Sequence, residues 1–91
     1  MMFTQNARTS LDAIAQEVNG ETVILDLKSE QYFSLDTVGT RVWQLLQETT
    51  SLRQVFDQLI TEYEVGPEQL EEDLVALIDS LVQEGLIALE Q

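Results

Sequence analysis

The chain has 91 residues, 44% of them apolar, and carries 17 acids against 4 bases for a net charge of −13. That length makes one domain, residues 1–91, with a small core. A surface this negative repels phosphate, which weighs against nucleic acid and anionic membranes as partners and favours a cationic or apolar peptide or a basic protein, although such a charge also serves plain solubility.

The first ten residues, MMFTQNARTS, read as an irregular lead-in. They lack the apolar run of a signal peptide, and no stretch reaches the roughly 20 apolar residues of a membrane span, so a cytoplasmic protein is expected. From Leu11 to Asn19 apolar and polar residues alternate loosely, and Asn19-Gly20 follows at once. An Asn-Gly pair between two strand-like runs signals a hairpin, because both residues tolerate positive φ. The second strand is Thr22 to Leu27; Lys28 to Gln31 form a polar turn, and Tyr32 to Leu35 form a third, short strand with two aromatics.

Asp36 is placed to cap a helix that runs to about Gln47, with Val38, Val42, Leu45 and Leu46 on one stripe and Trp43 extending it. Gly39 weakens that helix by up to about 1 kcal/mol relative to alanine, so its presence points to something packed close to its backbone. Ser51 and Gln54 resemble a capping box for a second helix, Leu52 to Tyr63, with Leu52, Val55, Phe56, Leu59, Ile60 and Tyr63 inward. Pro67 suits the first position of a third helix, whose stripe is Leu70, Leu74, Leu77, Ile78 and Leu81 and whose C-cap is Gly85. Leu86 to Leu89 is an apolar tail that adds a strand or covers the core. Strands followed by helices give an α+β domain: a three-stranded antiparallel sheet followed by three helices, winged helix-turn-helix-like in order.

Little in the chain supports chemistry. Without histidine or cysteine there is no Ser-His-Asp set, no zinc site with nitrogen or sulfur ligands and no disulfide, and the four glycines form no phosphate loop. Glu68, Glu71, Glu72 and Asp73 crowd the start of the third helix, where paired carboxylates act as acid and base or hold a hard cation, but where the helix dipole favours negative charge without any function. We expect no catalytic residue, no metal and no cofactor. A winged-helix DNA-binding regulator is the contrasting class, and the acidic start of the third helix opposes it. A structural subunit of a larger enzyme is a third class. The remaining feature is the strand Gln31–Leu35. Phe33 and Leu35 point to the core and Tyr32 and Ser34 point out; if one side of the strand is unpaired, an extended peptide gains main-chain hydrogen bonds there.

The series LDLKSEQYFSLDTVGTRVWQLL, followed by LRQVFDQLITEYEVGPEQLEEDLVALIDSLVQEGLI, resembles the PqqD family over roughly Ala13 to Ile87. Its carriers are Leu25 and Leu27, Tyr32-Phe33-x-Leu35-Asp36, Gly39 and Val42-Trp43. Later carriers are Leu59, Tyr63, Val65, Glu72-Asp73 and Leu81-x-x-x-Gly85-Leu86. Where the family often has Asn after the strand-three Leu, this chain has Asp36, and either residue caps a helix. The resemblance implies a RiPP recognition element, which binds the leader segment of a ribosomally made precursor peptide as an added strand beside the third strand and third helix. The leader would lie against Gln31, Tyr32, Phe33, Ser34 and Leu35. The facing helix would contribute from Asp73, Leu74, Ala76, Leu77, Asp79, Ser80 and Leu81, with Leu74 and Leu77 also on the core stripe. A free-standing member delivers the peptide to maturation enzymes, a leader protease and a cyclase in lasso-peptide biosynthesis. The alternative is a peptide chaperone in pyrroloquinoline quinone biosynthesis.

Overall fold

A computed structural model describes residues 4–90. Its elements are β1 (Asn6–Thr9), β2 (Ala13–Val18), β3 (Glu21–Asp26), β4 (Gln31–Leu35), α1 (Thr37–Glu48), α2 (Leu52–Glu62), α3 (Pro67–Gln83) and β5 (Ile87–Glu90). Strands β2, β3 and β4 form an antiparallel sheet in that order, and β1 pairs with β5 in a second, two-stranded sheet. The expected three strands and three helices are all present.

The local signals act as their chemistry dictates. Asn19 and Gly20 have φ of 55° and 82°, the pair of positive values that a type I′ hairpin turn requires. The β3–β4 turn is organised by Asp26, whose carboxylate accepts from the Lys28 N–H at 3.2 Å and the Ser29 hydroxyl at 2.8 Å. Asp36 caps α1 by accepting from the Gly39 N–H at 2.8 Å. Ser51 caps α2 in the same way from the Gln54 N–H at 3.2 Å. The Gln54 side chain does not complete the box; it accepts from the Thr49 hydroxyl instead. α3 ends in a Schellman motif, with Gly85 at φ 76°, its N–H donating to the Val82 carbonyl and the Leu86 N–H donating to the Leu81 carbonyl.

α1 packs on β3 and β4, and α2 and α3 build outward from it, α2 on α1 and α3 on α2 and β5. Ile24, Leu35, Val42, Leu46, Leu52, Leu59, Ile78 and Leu86 are among the buried residues that make one core. A buried polar contact joins sheet to helix: the Thr22 hydroxyl donates to that of Thr40 at 2.8 Å. Gly39 packs where expected. A Cβ there would sit 3.2 Å from the Leu35 Cβ and 3.3 Å from the Asp36 carboxylate, so the glycine lets α1 start tight against the end of β4.

Three expectations change. The lead-in is not irregular at Asn6–Thr9: this segment is β1, bonded to the tail that becomes β5 and to the α1–α2 junction through the Ala7 N–H and the Thr50 carbonyl at 2.7 Å. Of the rest of that segment, Thr4, Gln5 and Ser10 lie outside any strand as expected, and Met1 to Phe3 lie outside the described residues. Leu11 is in a turn and almost wholly exposed rather than in the first strand, and Val38 is 41% exposed rather than on the buried stripe of α1. In the first turn of α1 it is Gly39 and Thr40 that are buried, Gly39 against Leu35, and Val38 is left partly in solvent. The tail does both things expected of it, since β5 pairs with β1 while Leu86 and Ile87 are buried.

Candidate functional site

Among the described residues, both outer strands of the three-stranded sheet have a free side, and the register says which backbone groups face out. The Leu27 N–H donates to the Asp12 carbonyl at 2.9 Å, and these two residues continue the β2–β3 register in which Ala13 lies opposite Asp26. In an antiparallel ladder, opposed pairs alternate between exchanging two hydrogen bonds and exchanging none. Counting from Asp12, it is Ile14, Gln16 and Val18 that bond to Leu25, Val23 and Glu21. Thr22, Ile24 and Asp26 therefore turn their backbone groups the other way, toward Leu35, Phe33 and Gln31. Tyr32 and Ser34 are left with their N–H and C=O groups on the free edge of β4.

The two edges differ in their protection. On β2 the side chains on the helix side of the sheet are Ala13, Ala15 and Glu17, Glu17 lying opposite the buried Thr22, with Ala15 and Glu17 themselves still exposed to solvent. An inward-pointing charge is one of the ways proteins keep a strand edge from pairing. β4 has no such guard. Gln31, Tyr32, Phe33, Ser34 and Leu35 carry no charge, no proline interrupts them, and Tyr32 is 70% exposed. The strand is nonetheless rigidly mounted: Leu35 is buried, Phe33 is half-buried against the core, and the Leu35 carbonyl faces the Thr40 hydroxyl at 3.5 Å. An edge that stays open and in place is suited to accept another strand.

The helix-three candidates separate into two groups. Leu74 and Leu81 are 2% and 4% exposed and belong to the core. Leu77 is half-buried at the rim of that core, and Asp73, Ala76, Asp79 and Ser80 are exposed. Asp73 accepts from the Gln69 side chain at 2.9 Å. α3 carries no base along its length, so the charge it adds to its surroundings is negative. It packs on α2 and β5, whereas α1 packs on β3 and β4.

Sequence reasoning missed one feature of this region. Ile14, Leu25 and Tyr32 lie side by side across the three strands, on the face of the sheet turned away from the helices. Val18 and Val23 are exposed on the same face. Tyr32 is thus the end of an apolar row that reaches the free edge, rather than a lone aromatic. The Asn-Gly turn contains the missing signal, since a two-residue hairpin makes Val18 and Glu21 a bonded pair and so sets which residue stands beside which.

Residues 21–87 match the family described as coenzyme PQQ synthesis protein D (PqqD). The chain belongs to the PqqD family. Two solved structures resemble it at 31% sequence identity. One is TbiB1 in complex with the TbiA(beta) leader peptide, with a TM-score of 0.84 over 88% of this chain and 93% of that one. The other is lasso peptide synthetase B1 complexed with the leader peptide, with a TM-score of 0.75 over 91% of this chain and 98% of that one. No curated protein matches it in sequence. This PqqD-family domain therefore matches nearly the whole extent of both proteins, and the family match itself takes in β3, β4 and the three helices.

Proposed function

We propose that this protein binds the leader segment of a ribosomally synthesised precursor peptide by strand addition to β4, without catalysing a reaction itself. The carrying observation is the unguarded β4 edge, with Tyr32 and Ser34 facing out, in a chain 31% identical to two proteins solved with a leader peptide. The added strand exchanges hydrogen bonds with Tyr32 and Ser34, and its alternate side chains fall toward Phe33 and the exposed flank of α3, where Asp73, Ala76, Leu77, Asp79 and Ser80 form the far wall. Leu74 and Leu81 support that wall from the core. In this reading the domain is a winged helix-turn-helix-like scaffold turned to peptide capture in the cytoplasm. It delivers the bound precursor to a leader protease and a cyclase of lasso-peptide biosynthesis.

The test uses amide exchange and fluorescence polarisation with the leader of a lasso precursor encoded beside this gene. Bound leader slows exchange at the Tyr32 and Ser34 amides, while the Phe33 amide, already bonded to β3, changes little. Saturable polarisation without protection at those two amides overturns the strand-addition mechanism. A second reading, peptide chaperone in pyrroloquinoline quinone biosynthesis, is favoured by the description of the matching family. It predicts that the quinone precursor peptide, and not a lasso leader, gives the same protection.

A further inference from the structure

At the opposite edge of the sheet from β4, a cleft of about 480 Å³ opens between β2 and α1. Its walls are Ala13, Ala15 and Glu17 on β2 and Trp43, Gln44 and Gln47 on α1. The cause is in the sequence: α1 packs on β1, β3 and β4, and beneath β2 only two methyl groups and one carboxylate point inward. The cleft is open to solvent, and its volume is enough to admit a long side chain. The backbone groups of Ala15 and Glu17 face outward along the same edge by the alternation that frees Tyr32 and Ser34 on β4.

Glu17 decides what this edge accepts. The hydrogen bond it receives comes from the uncharged Gln44 side chain, and the ion pairs Arg8–Glu90, Lys28–Asp12 and Arg41–Glu62 do not involve it. An ordinary apolar strand pairing here would bury that carboxylate uncompensated, which is costly. A strand that brings a cation opposite it replaces the penalty with a charge-assisted hydrogen bond. A second copy of this chain fails the same condition, since β2 contains no base and each copy carries a charge of −13.

We infer that the β2 edge is a second strand-addition site, selective for an extended segment of a basic partner protein that seats a Lys or Arg side chain in the cleft against Glu17. The site is independent of leader binding at β4. It works as a gate by charge: the residue that closes the edge to most strands opens it to one class.

A titration of the isotopically labelled full chain with an acetylated, amidated Thr-Val-Lys-Val-Thr peptide, up to about 5 mM, tests this by amide NMR. The expected shifts are at the Ala15 and Glu17 backbone amides and the Gln44 and Gln47 side-chain amides, with Tyr32 and Ser34 unmoved. Norleucine in place of the lysine weakens the apparent Kd about fivefold, the size of one solvent-screened ion pair. Glu17→Gln brings the lysine peptide to the norleucine level and leaves the β4 edge unchanged. Equal affinity for the two peptides, shifts confined to Tyr32 and Ser34, or no saturating shift overturns the proposal. Movement of Ala15 and Glu17 by the leader peptide itself overturns the assignment to a separate partner.

Discussion

A two-pronged ion pair joins α1 to α2. Arg41 donates from Nε and Nη2 to the two carboxylate oxygens of Glu62 at 2.8 and 2.7 Å, and Gln58 adds a third hydrogen bond. The Arg41 guanidinium, with Gln58 behind it, holds the Glu62 carboxyl down at about 2, against 4.5 for an unperturbed glutamate. The folded state therefore prefers the charged form. Its contribution is full above about 4.5 and is lost as pH falls through about 2. Asp26 acts with the same sign, its carboxyl lowered chiefly by the Ser29 hydroxyl. Urea midpoints measured from about pH 4.5 down toward 2 should fall, and Glu62→Gln should flatten that fall. Gly39 gives a second test. Alanine there gains helix propensity of about 1 kcal/mol, but its Cβ meets the Leu35 Cβ at 3.2 Å. Leu35 is tied into the β3–β4 register and cannot swing aside as the tip of a long side chain does. Overpacking costs typically about 1–3 kcal/mol, so Gly39→Ala should destabilise by about 1 kcal/mol in urea denaturation.

Among the elements, β4 carries the functional argument, and its alternation makes a sharp prediction. Proline removes a backbone N–H and is tolerated on an edge strand only where that N–H faces out. Ser34→Pro should keep the fold, by circular dichroism and urea midpoint, and weaken leader binding at least about tenfold, the loss of one or more main-chain bonds. Phe33→Pro removes a bond to β3 and should unfold the sheet. Equal leader affinity in Ser34→Pro would mean the peptide pairs elsewhere. Much of this element structure was legible in the sequence because its signals are local. Asn19-Gly20 has only one comfortable turn, Asp36 has an amide to cap within three residues, and Gly85 alone accepts φ 76° without strain. Gly85→Ala should accordingly cost about 1–2 kcal/mol. β1 was not legible, since Asn6-Ala7-Arg8-Thr9 has no apolar alternation to display. It is a strand because β5 and the Thr50 carbonyl lie beside it. The candidate site was legible in part for the same reason. The strand Gln31–Leu35 could be found from its pattern, whereas the division of α3 into core residues Leu74 and Leu81 and exposed residues Asp73 and Ser80 required the packing.

For the molecule as a whole, charge is the governing quantity. A net charge of −13 on 91 residues repels itself in the compact state. Screening should relieve that repulsion, so the melting temperature should rise by several degrees, about 4–8 °C per kcal/mol gained, as sodium chloride is raised from low to moderate concentration. A flat or falling Tm would show that local pairs such as Arg41–Glu62 outweigh the global field. Composition alone determined this charge and, through the missing histidine and cysteine, which chemistries are absent. Local sequence determined the turns, the caps and the existence of an uncharged, aromatic strand between a turn and a helix. Tertiary structure decided that this strand is an edge. It also decided that Tyr32 and Ser34, rather than Phe33, turn their amides outward, and that the other edge is guarded by Glu17 above an open cleft. Those are properties of partners brought together across the chain, and no residue carries them until its neighbours are in place.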